Sequence, residues 1–449
     1  MAGKDREEPG ELGYGAHRVR LPLEGCDVLA SGAAESGRNA GEMAEDAVVR
    51  PRGSPSLAEL AKGARSAVIL VSGRDRVTRS DVFMPPILSA LREAGLKNHQ
   101  ISVIAATGTH LPFEKADLPL LVGPEFPDDI SVTGHACQDE SALTEIGTTS
   151  RGNRVRVSSR ALNADLKILT GRITHHYFAG FTAGRKAVLP GISAYETILF
   201  NHRLVVSGTD DHIVPPTVAN GRLSGNPVHE DMMEAAAFFR PDFVMNTVLD
   251  TGHEVMGVFA GDSVEAHHAG CALVDREFAF RNVKGADLVV ASCGGAPYDC
   301  SFIQTIKTIF NCHRAVRDGG VMLVLAECPE GIKKGFHKWA KIVSLEQLTA
   351  EVRRNYNLAG HNSILLRLVL QRIRVVLVSS LPKKDVERLG LVAAAIPEDG
   401  WRMARNLCDT NMPTTLVIPF GNVTVVDQGA LDPVLAPATN ELNTVDRRS

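Results

Sequence analysis

Short apolar runs rich in β-branched residues recur along this chain, and most are closed by a glycine-rich or polar loop that leads into a helical pattern. Examples are AVILVSG (67–73) running into DVFMPPILSALREAGL (81–96), ISVIAATG (101–108), LKILTGR (166–172), DLVVASCGG (287–295) running into SFIQTIKTIFNCHRAV (301–316), and RVVLVSS (374–380). Alternation of this kind predicts an α/β protein with mainly parallel sheets. A polar, small-residue change of rhythm over 260–276 precedes a fresh strand-loop-helix set near Asp287. The expected division is an N-terminal α/β domain over 13–270 and a C-terminal α/β domain over 271–436, with polar, aperiodic segments 1–12 and 437–449 left out of the fold as disordered ends. The stretch SGAAESGRNAGEMAED (31–46) reads as a loop or weak helix.

In open α/β sheets ligands bind beyond the carboxyl ends of the strands, so the loops that follow the strands are where chemistry is sought. Three such loops in the first half are basic: SGRDRVTR (72–79), TGTH (107–110) and GRITHHYFAGFTAGRKAVLPG (171–191). The third carries His175 and His176, then Gly180 and Gly184, then Arg185 and Lys186 ahead of Pro190 and Gly191. Glycines that let the backbone approach closely, next to an Arg-Lys pair, suit an anionic group such as a phosphate; a tight turn with solvated basic residues satisfies the same pattern. In SAYETILFNHRLV, Tyr195, Ile198, Leu199 and His202 recur at helical spacing and are expected to share an inward face, where His202 is either a core residue or a metal ligand. In GGAPYDCSFIQTIKTIF, Ile303, Ile306 and Phe310 are expected to form the buried stripe, with Gln304 and Lys307 together on another face. Lys307 sits early in the helix, where it opposes the macrodipole, and a substrate carboxylate would compensate it.

Composition narrows the function without naming it. A length of 449 residues and 44% hydrophobic content support two or three domains, each with its own core. A net charge of −4 with dispersed basic residues leaves no footprint for nucleic acid. The charged start MAGKDREEPGELGYG is unlike a secretory signal and no apolar run reaches membrane-spanning length, so a cytoplasmic protein without a membrane partner is expected. Eight cysteines form no CxxC pair and read as ordinary thiols.

Taken together, HYFAGFTAGRKAVLPG with a histidine sixteen residues after its lysine, GTH upstream and QTIK downstream resemble the nickel-pincer lactate racemase family, over about Tyr14 to Gly421. The resemblance implies an isomerase that racemises or epimerises a 2-hydroxy acid. Its cofactor would be nickel in a pyridinium-3,5-bisthiocarboxylic acid mononucleotide tethered to Lys186 through a thioamide, and His202 would be the protein's nickel ligand. His110 and His176 would be paired catalytic bases, Thr78, Gly184 and Arg185 would line the cofactor, and Arg79, Gln304 and Lys307 would bind substrate in an interdomain cleft. Cofactor-synthesis enzymes would be transient partners, and self-association is left open. The family's DxTR pattern is met at Thr78 and Arg79, but Arg76 stands at the Asp position and Asp75 is displaced by one. Ile303 stands where lactate-specific members usually have an aromatic residue.

The same residues also suit other functions. A zinc-dependent hydrolase could use His175, His176 and His202, though no HExxH is present. A non-catalytic nickel-cofactor-binding protein would keep Lys186 and His202 but could dispense with His110, His176 and Lys307. A lysine Schiff-base enzyme would use Lys186 and leave His202 idle. A nicotinamide dehydrogenase would need a GxGxxG after a strand, which is missing.

Overall fold

The computed structural model describes residues 11–32, 38–110, 112–427, 432 and 435. The chain forms two compact units, each built from separated segments: one from the described parts of Met1–Ala33, His202–Pro216 and Glu277–Gly429, the other from those of Ala34–Asn201, Thr217–Arg276 and Ala430–Ser449. The expected boundary at 270/271 falls inside the helix Glu265–Phe278, and the chain crosses between units five times rather than once.

The unit holding most of the first half is organised on a six-stranded sheet in the order Val255–Gly261, Phe243–Leu249, Leu166–Arg172, Ala67–Ser72, Ile101–Ala106, Ser131–Gly134. Only the Val255–Gly261 edge strand is antiparallel to its neighbour. Ala67–Val71 are all fully buried, as a strand covered on both faces requires, which is why this segment reads as a continuous apolar run. The helix Ser80–Glu93 packs on it through Val82, Phe83, Ile87 and Leu91, and accommodates Pro85 and Pro86 within its length. The chain first proceeds from Ala67–Ser72 outward to one edge, then returns to add Leu166–Arg172 on the other side. Ala67–Ser72 and Leu166–Arg172 therefore flank a topological switch point, where a crevice opens at the carboxyl ends of parallel strands.

The other unit has an all-parallel six-stranded sheet: Val392–Ala394, Arg374–Val378, Val316–Leu325, Ala286–Ser292, Thr415–Ile418, Asp27–Val28. Its own switch point, between Ala286–Ser292 and Thr415–Ile418, is crossed by an N-terminal hairpin, Glu11–Tyr14 with His17–Arg20. The hairpin docks on the Gly294–Gly295 turn so closely that a Cβ at Gly13 would lie 2.5 Å from the Gly294 carbonyl. Buried Asp299 accepts the Gly15 and Glu327 amides, tying hairpin, turn and sheet together. Leu12, expected to belong to a disordered end, is buried in this unit's core. Glu11, from the same segment, starts the hairpin's first strand, and the remaining residues assigned to disordered ends, 1–10 and 437–449, lie outside the described residues. Within 31–46, residues 33–37 also lie outside them, and Asn39 caps a helix over Ala40–Val49.

Candidate active site

Three strand-end loops of the first unit meet at its switch point. The loop after Ala67–Ser72 turns through an Arg76 amide to Gly73 carbonyl bond and ends at Arg79, whose φ of 58° lies in the left-handed region that non-glycine residues adopt only under constraint. Thr78 is buried, and its carbonyl accepts the Thr247 hydroxyl. The Arg79 guanidinium is held by Asp81 at 3.1 Å, by the His253 carbonyl at 3.1 Å and by Glu254 at 3.3 Å, and the adjacent Asp81 raises its pKa.

The second loop, after Ile101–Ala106, is the turn Thr107–His110. Its His110 amide bonds back to the Thr107 carbonyl, and the Gly108 amide to the Gly191 carbonyl at 2.9 Å, which ties it to the end of the third loop. The exposed His110 ring places Nδ1 3.1 Å from Asp75 Oδ2 in the first loop, and Arg76 Nε lies 3.6 Å from the same oxygen.

The third loop begins as a tight hairpin pairing His175 with Phe181 and His176 with Gly180. His176 is buried; its Nδ1 accepts the Ala179 amide at 3.3 Å, its ring stacks on Tyr177 and meets the Phe178 edge. His175 is turned into the core, with Nε2 3.4 Å from Asp275. Beyond the hairpin a 3₁₀ turn spans Gly184–Ala187. Gly184 has φ 51°, and a Cβ there would meet the His267 ring at 2.8 Å. Half-buried Lys186 carries its ammonium 5.3 Å from the centre of the Phe178 ring.

Arg185 departs from its sequence reading. Instead of facing an anionic group, its guanidinium points inward, donating to the Ala179 carbonyl at 2.6 Å and lying 3.0 Å from His267 Nε2. Burial lowers its pKa to about 10, so it remains protonated at neutral pH as a buried cation that staples the loop. Burial, and then Arg185, push His229 and His267 below the ordinary imidazole range, so both are neutral around it.

In the second unit, the helix Phe302–Cys312 is buried on most of its surface, and the expected stripe is corrected: Ile306 and Phe310 are buried but Ile303 is partly exposed, as is Lys307 one turn later. Gln304, expected beside Lys307 on a face apart from the buried stripe, is itself buried, and its Oε1 accepts from the Lys307 ammonium. The His202 helix, Tyr195–Arg203, buries Thr197, Ile198 and Asn201, while Tyr195, Leu199 and His202 lie on its partly exposed flank. The polar Thr197 and Asn201 face inward because they are satisfied there: the Thr197 hydroxyl bonds the Arg154 carbonyl, and Asn201 bonds Val228 and Asp231. His202 meets His361 edge-on with ring centres 6.2 Å apart, and His361 Nδ1 lies 2.6 Å from the Tyr356 hydroxyl. Neither Tyr356 nor His361 could be singled out in advance, since each lies more than 150 residues from His202 in the sequence. His229, His267 and Asp275 were also missed, because the groups they face, Arg185 and His175, lie tens of residues away in the sequence.

Comparisons with known proteins give a consistent picture. A family model described as the lactate racemase N-terminal domain matches residues 12–212, and one described as the lactate racemase C-terminal domain matches 281–426. The lactate racemase of Thermoanaerobacterium thermosaccharolyticum is 32% identical over 337 residues, covering 74% of this chain and 77% of that protein. That of Lactiplantibacillus plantarum is 33% identical over 290 residues, covering 65% of this chain and 66% of the other. Among solved structures, the lactate racemase apoprotein from T. thermosaccharolyticum superposes with a TM-score of 0.83 at 28% identity, over 93% of this chain and 99% of its own. A Thermotoga maritima protein shares the fold, with a TM-score of 0.64 at 15% identity over 89% of this chain and 100% of its own.

Proposed function

The chain belongs to the lactate racemase family, a family of isomerases, and from that premise we propose that it interconverts the two configurations at the hydroxyl-bearing carbon of a small 2-hydroxy acid. The observation that carries this reading is the meeting of three loops at one switch point, which brings His110, His176, Arg79 and Lys186 to the same sheet edge.

A 2-hydroxy acid ionised at its carboxylate has a very weakly acidic α-hydrogen, so removing it as a proton is costly; departure as hydride avoids the carbanion. Two bases on opposite faces of the substrate then account for racemisation. In this reading His110 and His176 take and return the hydroxyl proton, and Arg79, Gln304 and Lys307 hold the carboxylate and oxygens. A substrate carboxylate reaching Arg79 competes with Glu254, the more exposed of its two acidic partners.

The residues fit a nickel-pincer nucleotide. Lys186 offers a half-buried primary amine against an aromatic face, suited to an amide-type link. Among the described residues no group of three or more His, Cys, Asp or Glu side chains could hold a metal ion, so a metal would bring donors of its own and need a single imidazole such as His202. When bound, that nucleotide supplies the acceptor for the hydride. The same observation weighs against a zinc hydrolase built on His175, His176 and His202, since His175 faces Asp275 and the three do not form such a group.

The test is expression alongside the cofactor-synthesis enzymes, followed by intact-mass and metal analysis of wild type and Lys186→Ala. The expected result is stoichiometric nickel and an adduct on Lys186 that the variant lacks. Loaded enzyme is then offered 2-deuterated lactate, malate, phenyllactate and a sugar acid, and racemised product should keep its deuterium. An unmodified Lys186 with zinc bound would overturn the reading, and a nickel adduct without turnover of any 2-hydroxy acid would favour a cofactor-binding protein. Among the described residues no helix is long and apolar enough to cross a membrane.

A further inference from the structure

We infer that Asn226 is a positioning residue that grips the tip of the His176 hairpin, and that its side-chain nitrogen, rather than its oxygen, is the atom that serves the chemistry. The inference rests on the racemase reading for its catalytic consequence but not for its geometry. Asn226 is fully buried and stands at the N-cap of the helix Pro227–Phe239. Its Oδ1 accepts the Val228 amide at 3.1 Å and the His229 amide at 3.3 Å, as a helix cap does. Its Nδ2 donates to the Phe178 carbonyl at 2.9 Å and to the Arg222 carbonyl at 3.0 Å. The orientation of the carboxamide follows from chemistry, since turning it over would set its donors against two backbone N–H groups and its acceptor against two carbonyls.

Capping accounts for only half of this arrangement. Asn, Asp and Ser cap helices about equally well, and of the three only Asn brings a pair of amide donors to the same place. Those donors go to the hairpin. Three successive carbonyls at its tip each receive a donor from outside it: Phe178 from Asn226, Ala179 from the Arg185 guanidinium at 2.6 Å, and Gly180 from the Gly221 amide at 3.0 Å. The helix behind Asn226 is itself anchored, because its buried Asp231 accepts from Thr149, Asn153 and Asn201. Asn226 thus carries the position of a packed helix to the turn after His176.

That turn supplies groups that touch the proposed chemistry. The Ala179 amide donates to His176 Nδ1, the Phe178 ring meets the His176 ring edge-on with centres 4.3 Å apart, and the Lys186 ammonium lies over the Phe178 ring. Moving the Phe178 carbonyl therefore moves a base and the surroundings of the tethering amine together. Arg79, Gln304 and Lys307, which hold the substrate in this reading, lie on other elements. Loss of the nitrogen should accordingly reduce kcat and leave KM nearly unchanged.

The experiment separates the two halves of the side chain. Asn226→Ser and Asn226→Asp each keep a capping oxygen and lose both donors, whereas Asn226→Ala loses cap and donors alike. In unloaded protein, hydrogen exchange read by mass spectrometry should be at least about tenfold faster over residues 177–181 in the first two variants, with the helix 227–239 within about threefold of wild type. Asn226→Ala should also speed exchange in the first turn of that helix. In loaded enzyme, with D- and L-lactate as probes, or the best-turned-over acid of the panel, the Ser and Asp variants should lose about tenfold to hundredfold in kcat with KM within about threefold. If the Asp variant does not fold, because its carboxylate faces two carbonyls, the Ser variant decides alone. Unchanged exchange at the tip, equal acceleration of tip and helix, or a rise in KM without loss of kcat would overturn the inference. Loaded wild-type enzyme that racemises nothing would instead overturn the functional reading, and the exchange data would still decide the grip.

Discussion

Replacing Gly180 with alanine should disable the His176 hairpin while leaving every side chain of the proposed site in the sequence. Gly180 has φ 75° and pairs directly with His176 across the two-residue ladder. A Cβ there would lie 2.3 Å from the Arg222 carbonyl oxygen and 3.0 Å from Leu223 Cδ2. The first of these is backbone, and it is pinned in place because the Gly221 amide donates to the Gly180 carbonyl at 3.0 Å. An alanine in the left-handed region costs about 1–2 kcal/mol, and relieving an overlap of this size in packed structure adds about 1–3 kcal/mol. Reduced freedom of the unfolded chain offsets about 0.4–1 kcal/mol, so the net loss should be about 3 kcal/mol. Urea denaturation followed by far-UV circular dichroism measures it. Tryptophan fluorescence is a poor reporter here, because Trp339 and Trp401 both lie in the unit that does not contain Gly180. Racemisation by the loaded variant should fall about a hundredfold, the loss expected when a catalytic group is displaced by about 1 Å. A stability loss under about 1 kcal/mol with full activity would refute the argument that this position admits only glycine.

Arg185→Lys should cost about 2–3 kcal/mol by the same denaturation assay, since an ammonium cannot reproduce the fork that reaches both Ala179 and His267, and it should lower the yield of adduct at Lys186; a neutral substitution would show that the staple is dispensable. Glu254→Gln, which removes an exposed competitor for Arg79, should lower substrate KM by up to about fivefold with kcat unchanged, and an unchanged KM would place the carboxylate elsewhere. Acid should destabilise the fold in a defined window. The buried His361 imidazole is depressed to about 3 by burial, and His229 and His267 lie below the ordinary value as well. Between those values and the unfolded value near 6.5 the unfolded chain binds more protons, so this contribution is complete above about pH 6.5 and is lost as pH falls toward the folded values. Urea titrations at pH 7.5 and 5.0 should differ by up to about 2 kcal/mol for each such imidazole, and a flat profile would contradict their buried, neutral state.

What the sequence made legible follows from what strand periodicity can encode. The runs 67–71, 101–106 and 166–170 are apolar because both faces of a central parallel strand are covered, so strands, class and the loops that follow them can be read off directly. Side-chain direction within those loops and along half-buried helices cannot, because it depends on partners far away. Tyr195, Leu199 and His202 form an apolar-looking stripe by spacing, yet the helix turns Thr197 and Asn201 inward because Arg154, Val228 and Asp231 supply their hydrogen bonds. Arg185 looks like an anion-binding residue beside Lys186 until His267 and the Ala179 carbonyl are known to receive it. The N-terminal hairpin escaped notice because its strands have four residues each and its burial comes from docking on Gly294 and Gly295.

Asp75 marks the limit most sharply. Alignment by spacing treats an aspartate displaced by one residue as lost, because in a strand or helix a shift of one residue redirects the side chain by 180° or 100°. Inside a turn that periodicity does not hold: the backbone reverses between Gly73 and Arg76, and successive side chains can converge on one neighbour. Asp75 and Arg76 do so, both lying within 4 Å of a common ion-pair network with His110. A carboxylate acting on an imidazole through one contact is constrained by the position of its oxygen rather than of its Cα. A loop can therefore exchange adjacent residues and keep the contact, provided the strand ends on either side stay fixed. Here they are fixed by parallel pairing of Ala67–Ser72 with Ile101–Ala106 through their last residues, Ser72 opposite Ala106, immediately before the two loops that bring Asp75 and His110 together.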